Sequence, residues 1–149
     1  MKDKELEVKE AMVAFKPTSH ICQHLCAFHF YAHDLSRQVE AHHYCSKGEE
    51  DGVMFQCIIY DDDAPSAKLI GVEYIISRDT YASLDSEEQK LWHSHAYEVQ
   101  SGMLYDPKGD SRADLPHMEA LMTTYGKTWH TWQVDQGHKV PLGDCMVPE

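Results

Sequence analysis

Three features that would mark a membrane, secreted or nucleic-acid-binding protein are missing from this sequence. No apolar run approaches the roughly 20 residues that a helix needs to cross a bilayer. The first fifteen residues also lack the apolar segment of a secretory signal. Basic residues are few, since 13 Lys and Arg stand against 25 Asp and Glu, and the formal net charge is −12. This charge disfavours nucleic acid and anionic lipid as partners. The missing apolar run and the missing secretory signal together predict a cytoplasmic protein with no transmembrane segment.

Several catalytic motifs are absent as well. There is no Gly-x-Ser-x-Gly elbow, no glycine-rich phosphate loop and no Cys-x-x-Cys-His haem attachment site, which disfavours the corresponding classes of enzyme. A cysteine nucleophile paired with a histidine stays open. The odd number of cysteines and the missing secretory signal predict reduced thiols. The five cysteines are Cys22, Cys26, Cys45, Cys57 and Cys145.

The length and the hydrophobic pattern predict one α+β domain over residues 1–149. We expect a mostly antiparallel sheet of about five or six strands, with two or three helices packed on it. The N-terminal helix should lie within residues 1–17, and residues 136–149 should form an irregular tail. The predicted strands cover residues 27–33, 38–45, 53–60, 69–76, 97–104 and 127–134, and the predicted helices cover residues 3–15 and begin at Asp85 and Asp114.

Two predicted strands, residues 53–60 and 69–76, are apolar on both faces, which is typical of the centre of a sheet. We expect them to pair with each other in antiparallel fashion. Glu73 interrupts the second strand, and a carboxylate at such a position is costly to bury without a partner. That partner is a basic side chain or a backbone amide on one interpretation, and a metal or a metal-bound histidine on the other.

The sequence is rich in histidine, with eleven residues, eight of which fall within residues 20–43 and 93–95. His93 and His95 are two positions apart, so an extended backbone would point both imidazoles to the same side, where they could hold one metal. A helix would point them nearly opposite ways. Within residues 20–26, two histidines and two cysteines alternate, but such a run is too long for one ion to contact all four without a sharp bend.

A metal centre is the chemistry that these residues support best. We expect His93 and His95 to converge with His42 or His43, and the carboxylates of Glu73 and Glu98 are the candidates for catalysis. The candidate ligands are His42, His43, His93, His95 and Glu98, and the suspected cofactor is a divalent transition metal, zinc or iron. The alternative is that the histidines hydrogen-bond loops and helix ends.

Several motifs together resemble the oil body-associated protein family, a domain without an established activity. They include Phe28 to Asp34, Arg37 to Tyr44, Leu69 to Ile76, Leu91 to Glu98 and Trp132 to Asp135. The similarity extends over about residues 10–145 and implies a shared fold more firmly than a shared function. Since plant members of the family are associated with oil bodies, the resemblance also implies a peripheral association with lipid droplets.

Two functions follow from these observations. The first is a small, histidine-rich metal-binding protein, with metal-dependent catalysis on a small-molecule substrate left open. The alternative is a non-catalytic protein associated with lipid droplets, or oil bodies. The sequence also leaves open whether the chain forms a homo-oligomer.

Overall fold

The computed structural model describes residues 15–31, 33–49, 51–108 and 115–145 as a curled antiparallel sheet with short helices around it. The α+β class and the antiparallel pairing are confirmed, but the sheet has seven strands and not five or six. Their order across the sheet is β5-β7-β4-β3-β2-β1-β6. The strands are β1 (Ile21–Tyr31), β2 (Asp34–Lys47), β3 (Val53–Tyr60), β4 (Leu69–Ile76), β5 (His93–Ser94), β6 (Leu104–Tyr105) and β7 (Tyr125–His130).

The helices within the described residues are all short. They are α1 (Lys16–Ser19), α2 (Arg78–Ser83), α3 (Ser86–Gln89), α4 (His95–Gln100), α5 (Leu115–Leu121) and a single 3-10 turn at Val134–Gln136. Asp85 caps α3, as the sequence predicts, because its carboxylate accepts hydrogen bonds from the backbone N–H groups of Glu87 and Glu88. The N-terminal helix predicted over residues 3–15 falls almost wholly outside the described residues.

The two central strands are confirmed to the residue. β3 and β4 pair in antiparallel fashion, with Cys57 opposite Glu73 and Ile58 opposite Val72. Both strands carry apolar side chains on both faces, which explains why the sequence predicts their bounds correctly. β1 and β2 are longer than predicted, and β1 takes in most of the alternating segment 20–26.

The strand predicted over residues 97–104 is wrong. Ser94 accepts a hydrogen bond from the N–H of Ala96 and so caps α4, which takes up the first half of this segment, and only Leu104 and Tyr105 form a strand there. The order of elements around His93 and His95 is therefore strand and then helix. Gly126 lies in β7, directly after Tyr125 at the start of the strand.

The inner face of the sheet carries two apolar clusters with a polar layer between them. Along β2, Ala41 belongs to one cluster and Cys45 to the other, and His43 lies between them on the same face. β4 repeats this order with Ile70, Glu73 and Ile75. The polar layer is thus enclosed by core packing on both sides.

The prediction of reduced cysteines is wrong for one pair. Cys45 on β2 and Cys57 on β3 occupy opposite positions in the register, with Cα atoms 4.1 Å apart, and they form a disulfide. Cys22, Cys26 and Cys145 are free thiols. A count of cysteines could not reveal which of them face each other across the sheet.

Candidate metal centre

The polar layer of the inner face is organised around the carboxylate of Glu73. This side chain is only 3% exposed, although it carries a charge. His43 Nε2 lies 2.8 Å from its Oε2 atom, while His95 Nε2 and His93 Nε2 lie 3.1 Å and 3.4 Å from Oε1. Because a buried carboxylate requires compensation, these three imidazoles are its partners in place of a lysine or an arginine. We call Glu73, His43, His93 and His95 the inner centre.

Three separate parts of the chain bring the histidines of the inner centre together. β2 supplies His43. This strand lies close to β4, which carries Glu73, because β3 alone separates the two strands. β5 pairs with β7, which places His93 opposite Gly126. His95 begins α4, and its backbone N–H donates to the carbonyl of Thr124 at 3.2 Å. The two-residue spacing therefore brings His93 and His95 to one side, and their ring centroids are 5.1 Å apart.

The charge of the inner centre is set by opposing effects. Burial raises the pKa of the Glu73 carboxyl, but the hydrogen bonds with His43, His93 and His95 outweigh burial and hold its pKa well below the usual value. Burial lowers the pKa of His93, whereas its hydrogen bond with Glu73 acts in the opposite direction and leaves the pKa raised. A buried anion thus sits among the imidazole nitrogens.

The hydrogen-bond partners of two imidazoles determine which of their nitrogens carries the proton. His43 Nδ1 donates to the carbonyl oxygen of Ala41 at 3.1 Å, because a carbonyl can only accept. The Thr124 hydroxyl donates to the Leu121 carbonyl at 2.6 Å, so its oxygen accepts from His95 Nδ1 at 2.8 Å. In the neutral form of both rings, Nε2 therefore directs a lone pair at the carboxylate. Only an added proton or a bound cation makes such a contact favourable.

Gly126 closes one side of the inner centre with backbone alone. A Cβ atom at this position would lie 2.1 Å from Glu73 Oε1, 2.7 Å from His95 Nε2 and 2.8 Å from His93 Nε2. Any larger side chain would therefore occupy the space between these three donor atoms. Because residue 126 has no side chain, that space stays open to a small ion.

Glu98 takes a less direct position than the sequence predicts. It lies one turn after His95 on α4 and lines, with Glu73 and His95, a cavity of about 10 Å³. Among the described contacts, no hydrogen bond or ion pair joins the Glu98 carboxylate to a histidine. The cavity is near the minimum that holds one water molecule, so it suits an ion or a water and not an organic substrate.

His42 is the predicted ligand that the structure separates from the others. It lies next to His43 on β2, and successive side chains of a strand point to opposite faces. His42 therefore lies on the outer face, where its Nε2 is 3.0 Å from Glu40 Oε1 and 3.9 Å from Cys26 Sγ. Of the two alternatives offered by the sequence, His43 is the one that shares the Glu73 carboxylate with His93 and His95, although it contacts the other oxygen.

Sequence reasoning missed a buried chain of hydrogen bonds beside the inner centre. Tyr31 Oη lies 2.8 Å from His130 Nδ1, and His130 Nε2 lies 2.7 Å from His29 Nδ1. The His29 ring in turn contacts that of His43, with centroids 5.0 Å apart. Burial lowers the pKa of His130 to about 4 and that of His29 well below the usual value, which keeps both rings neutral. The alternation of buried residues in β1 and β7 was the only available signal.

The chain matches one protein family over most of its length. Residues 15–148 match the family described as "Protein of unknown function (DUF1264)". Among similar proteins, oil body-associated protein 1B of Arabidopsis thaliana is 50% identical over 133 residues, which make up 89% of this chain and 54% of that protein. No solved structure matches the chain.

Two maize proteins give the same result. Oil body-associated protein 2A of Zea mays is 50% identical over 133 residues, or 89% of this chain and 52% of that protein. Oil body-associated protein 1A of Zea mays is 50% identical over 129 residues, or 87% of this chain and 53% of that protein. The chain thus spans about half the length of the curated relatives it matches, and the resemblance predicted from the sequence motifs is confirmed.

Proposed function

Because this chain belongs to the DUF1264 family and is 50% identical to plant oil body-associated proteins, we propose that it associates peripherally with the surface of lipid droplets. The observation that carries this proposal is the identity with relatives of that name over 133 residues. Among the described residues, no helix is long and apolar enough to cross a bilayer. The mode of contact in this proposal is therefore adsorption through exposed apolar side chains.

The C-terminal segment of the described chain offers such side chains. Val140 is 56% exposed and Leu142 is 52% exposed, with Pro141 between them. Neither residue lies in a helix or a strand, so the backbone around them is not committed to the sheet. Apolar side chains on a short irregular segment can enter the headgroup region of a lipid monolayer without unfolding the domain.

Flotation with artificial droplets tests the association. The purified chain should float with droplets that have a triacylglycerol core and a zwitterionic phospholipid coat, and replacing both Val140 and Leu142 with Asp should release it. Leu35→Asp is the matched control, because Leu35 is 72% exposed and lies outside the segment. Recovery of the wild-type chain in the lipid-free fraction at every droplet composition would contradict the proposal.

A second candidate function, supported by the inner centre, is the binding of one divalent transition metal. The proposed donors are His93, His95 and Glu73, whose ligand atoms lie within 4.8 Å of one another, with water as the fourth ligand. His43 contacts the other oxygen of the Glu73 carboxylate, and the protonated Nδ1 of His95 gives the outer hydrogen bond typical of a metal-binding histidine. Ligand atoms about 2.0–2.1 Å from a tetrahedral zinc ion are about 3.3 Å apart. The distances of 3.1 and 3.4 Å from Glu73 Oε1 to His95 Nε2 and His93 Nε2 are compatible with that spacing.

Metal analysis after loading tests this second candidate. The purified Cys26→Ser chain, incubated with zinc and freed of excess ion, should retain about one equivalent at the inner centre. His95→Ala should remove that equivalent and leave the far-ultraviolet circular dichroism spectrum largely unchanged. Less than about a tenth of an equivalent of zinc, iron or manganese after loading would contradict metal binding at this centre.

A further inference from the structure

A second group of metal-binding side chains lies on the outer face of the sheet. Cys26 Sγ is 3.6 Å from Glu40 Oε1 and 3.9 Å from His42 Nε2, and His42 Nε2 is 3.0 Å from Glu40 Oε1. All three donor atoms lie within 4.8 Å of one another. Thiolate, imidazole and carboxylate are the three donor types that zinc accepts in proteins. We call Cys26, Glu40 and His42 the outer cluster.

The register of two strands explains how the outer cluster forms. β1 and β2 are antiparallel neighbours, and Cys26 is the direct partner of His42 in the register. Glu40 precedes His42 by two positions and so lies on the same face. Neighbouring strands of a sheet hold these positions at nearly fixed distances, so the three donors do not depend on a mobile loop.

Contacts around the outer cluster orient its imidazole. His42 Nδ1 lies 3.0 Å from His24 Nε2, which leaves His42 Nε2 for the cluster. The His24 ring stacks on Tyr44 with centroids 4.5 Å apart, and the Tyr44 hydroxyl donates to Asp63. An imidazole held through its second nitrogen in this way is the usual arrangement of a histidine ligand.

The sulfur of the outer cluster belongs to a free, buried thiol. Cys26 is fully buried and forms no disulfide. Burial raises the pKa of the Cys26 thiol, so the sulfur keeps its proton until a metal displaces it. The thiolate formed in that exchange is the form that binds metal. The Glu40 side chain is 49% exposed, so an ion and its water ligand can enter from the solvent.

We propose that Cys26, His42 and Glu40 form a zinc site on the outer face, independent of the inner centre and with a thiolate in its ligand set. Zinc bonds of about 2.3 Å to sulfur and 2.0–2.1 Å to nitrogen and oxygen separate tetrahedral ligands by about 3.3–3.6 Å, close to the spacing of these atoms. Water completes the four ligands. On binding, the Cys26 thiol releases its proton to solvent and forms the sulfur–zinc bond. His42, predicted as a ligand of the same ion as His93 and His95, thereby belongs to a different site.

Cobalt(II) serves as a spectroscopic substitute for zinc in the test. Titration of the purified chain with cobalt should produce a near-ultraviolet absorption band from charge transfer between thiolate and metal, and zinc should abolish it. Cys26→Ser should eliminate the band. Cys22→Ser is the matched control and should keep the band, because Cys22 lies on the same strand but outside the cluster. No band in the wild-type chain, or a band that survives Cys26→Ser, would overturn the proposal.

Two further variants separate this site from the inner centre and from a folding defect. Glu40→Gln changes a half-exposed side chain that leaves the core intact, and it should weaken cobalt affinity at the thiolate site by about tenfold or more. Gly126→Ala acts only on the inner centre and should leave the thiolate band unchanged. Unaltered cobalt affinity in Glu40→Gln would remove Glu40 from the ligand set and overturn the site as proposed.

Discussion

At the scale of single residues, the inner centre depends on a position that contributes no side chain. Gly126 leaves open the space between Glu73 Oε1 and the Nε2 atoms of His93 and His95. Its neighbours are the ends of three side chains, so a methyl group there would displace them and leave the backbone of β7 in place. Gly126 thus provides the space at the inner centre, while other residues provide the ligand atoms.

We expect Gly126→Ala to abolish metal retention at the inner centre although every proposed ligand is still present. The added Cβ would lie 2.1 Å from Glu73 Oε1, far inside van der Waals contact, and the carboxylate would have to move. Isothermal titration with zinc in a Cys26→Ser background measures the inner centre alone. Gly52→Ala is the control, since a Cβ there would meet nothing within 4 Å. Equal zinc retention by both variants would show that the ion does not bind between these atoms.

A second prediction at this scale concerns His130 and pH. Burial lowers its pKa to about 4, against 6.5 for the unfolded chain. Between these pKa values the unfolded chain binds more protons than the folded chain. The contribution of neutral His130 to stability is therefore fully present above about pH 6.5 and is lost as the pH falls toward 4. At about 1.4 kcal/mol for each pKa unit, His130 accounts for about 2 kcal/mol of the stability lost between pH 7 and pH 5.

Urea unfolding of two variants at these two pH values checks the contribution of His130. His130→Gln should shrink the difference in unfolding free energy between pH 7 and pH 5 by about 2 kcal/mol. His20→Gln, a change at an exposed position, should leave the difference unaltered. A pH dependence that is the same in His130→Gln and in the wild type would assign the effect to other groups.

At the scale of elements, β4 is the strand on which both the core and the inner centre rest. Ile75 is 3% exposed and packs with Cys57 and Leu104 in the cluster next to Glu73. Ile75→Ala should cost roughly 2–5 kcal/mol of unfolding free energy, because it leaves a cavity in a tightly packed region. Denaturant unfolding gives this value, and Leu69→Ala on the same strand is the control, since Leu69 is 48% exposed. A cost near 0.5 kcal/mol for Ile75→Ala would place the side chain outside the core.

The elements that the sequence predicts best are those with an unambiguous hydrophobic pattern. β3 and β4 match the prediction because both faces of each strand are apolar. The segment 97–104 has a pattern compatible with a strand, but the cap at Ser94 and the packing of α4 on α5 make its first half helical. Local preferences of this strength are overridden by tertiary contacts.

The candidate site was predictable to the same extent. The spacing of His93 and His95 and the unfavourable position of Glu73 both pointed to a shared site, and the structure brings these residues together. The choice between His42 and His43 depended on which face of β2 turns inward, and that is fixed by pairing across the whole sheet. The contribution of His29 and His130 depends on a contact between residues 101 positions apart, which no local pattern reports.

At the scale of the whole molecule, the net charge of −12 constrains any association with lipid. An acidic protein is repelled by anionic lipid at low ionic strength, and salt screens this repulsion within about 10 Å at 0.1 M and about 3 Å at 1 M. We therefore expect the chain to float with zwitterionic droplets at both salt concentrations. Droplets containing phosphatidylserine should bind less chain at low salt and recover binding as salt is added. Stronger binding to phosphatidylserine at low salt would indicate a basic contact surface instead of an apolar one.

Because His42 and His43 are adjacent on β2, this strand should not tolerate insertions or deletions. The side chains of the two residues point to opposite faces of one strand. Inserting or deleting a single residue upstream within β2 would exchange these faces, so that each cluster would receive a different side chain from β2. The Cys45–Cys57 bond adds a second restriction, because it fixes the alignment of β2 against β3. Length variants are therefore expected to be tolerated in the connections between strands, such as residues 61–68 between β3 and β4, and to be rejected between Glu40 and Cys45. A library of single-residue insertions, sorted for folded protein and metal retention, would reveal this pattern directly.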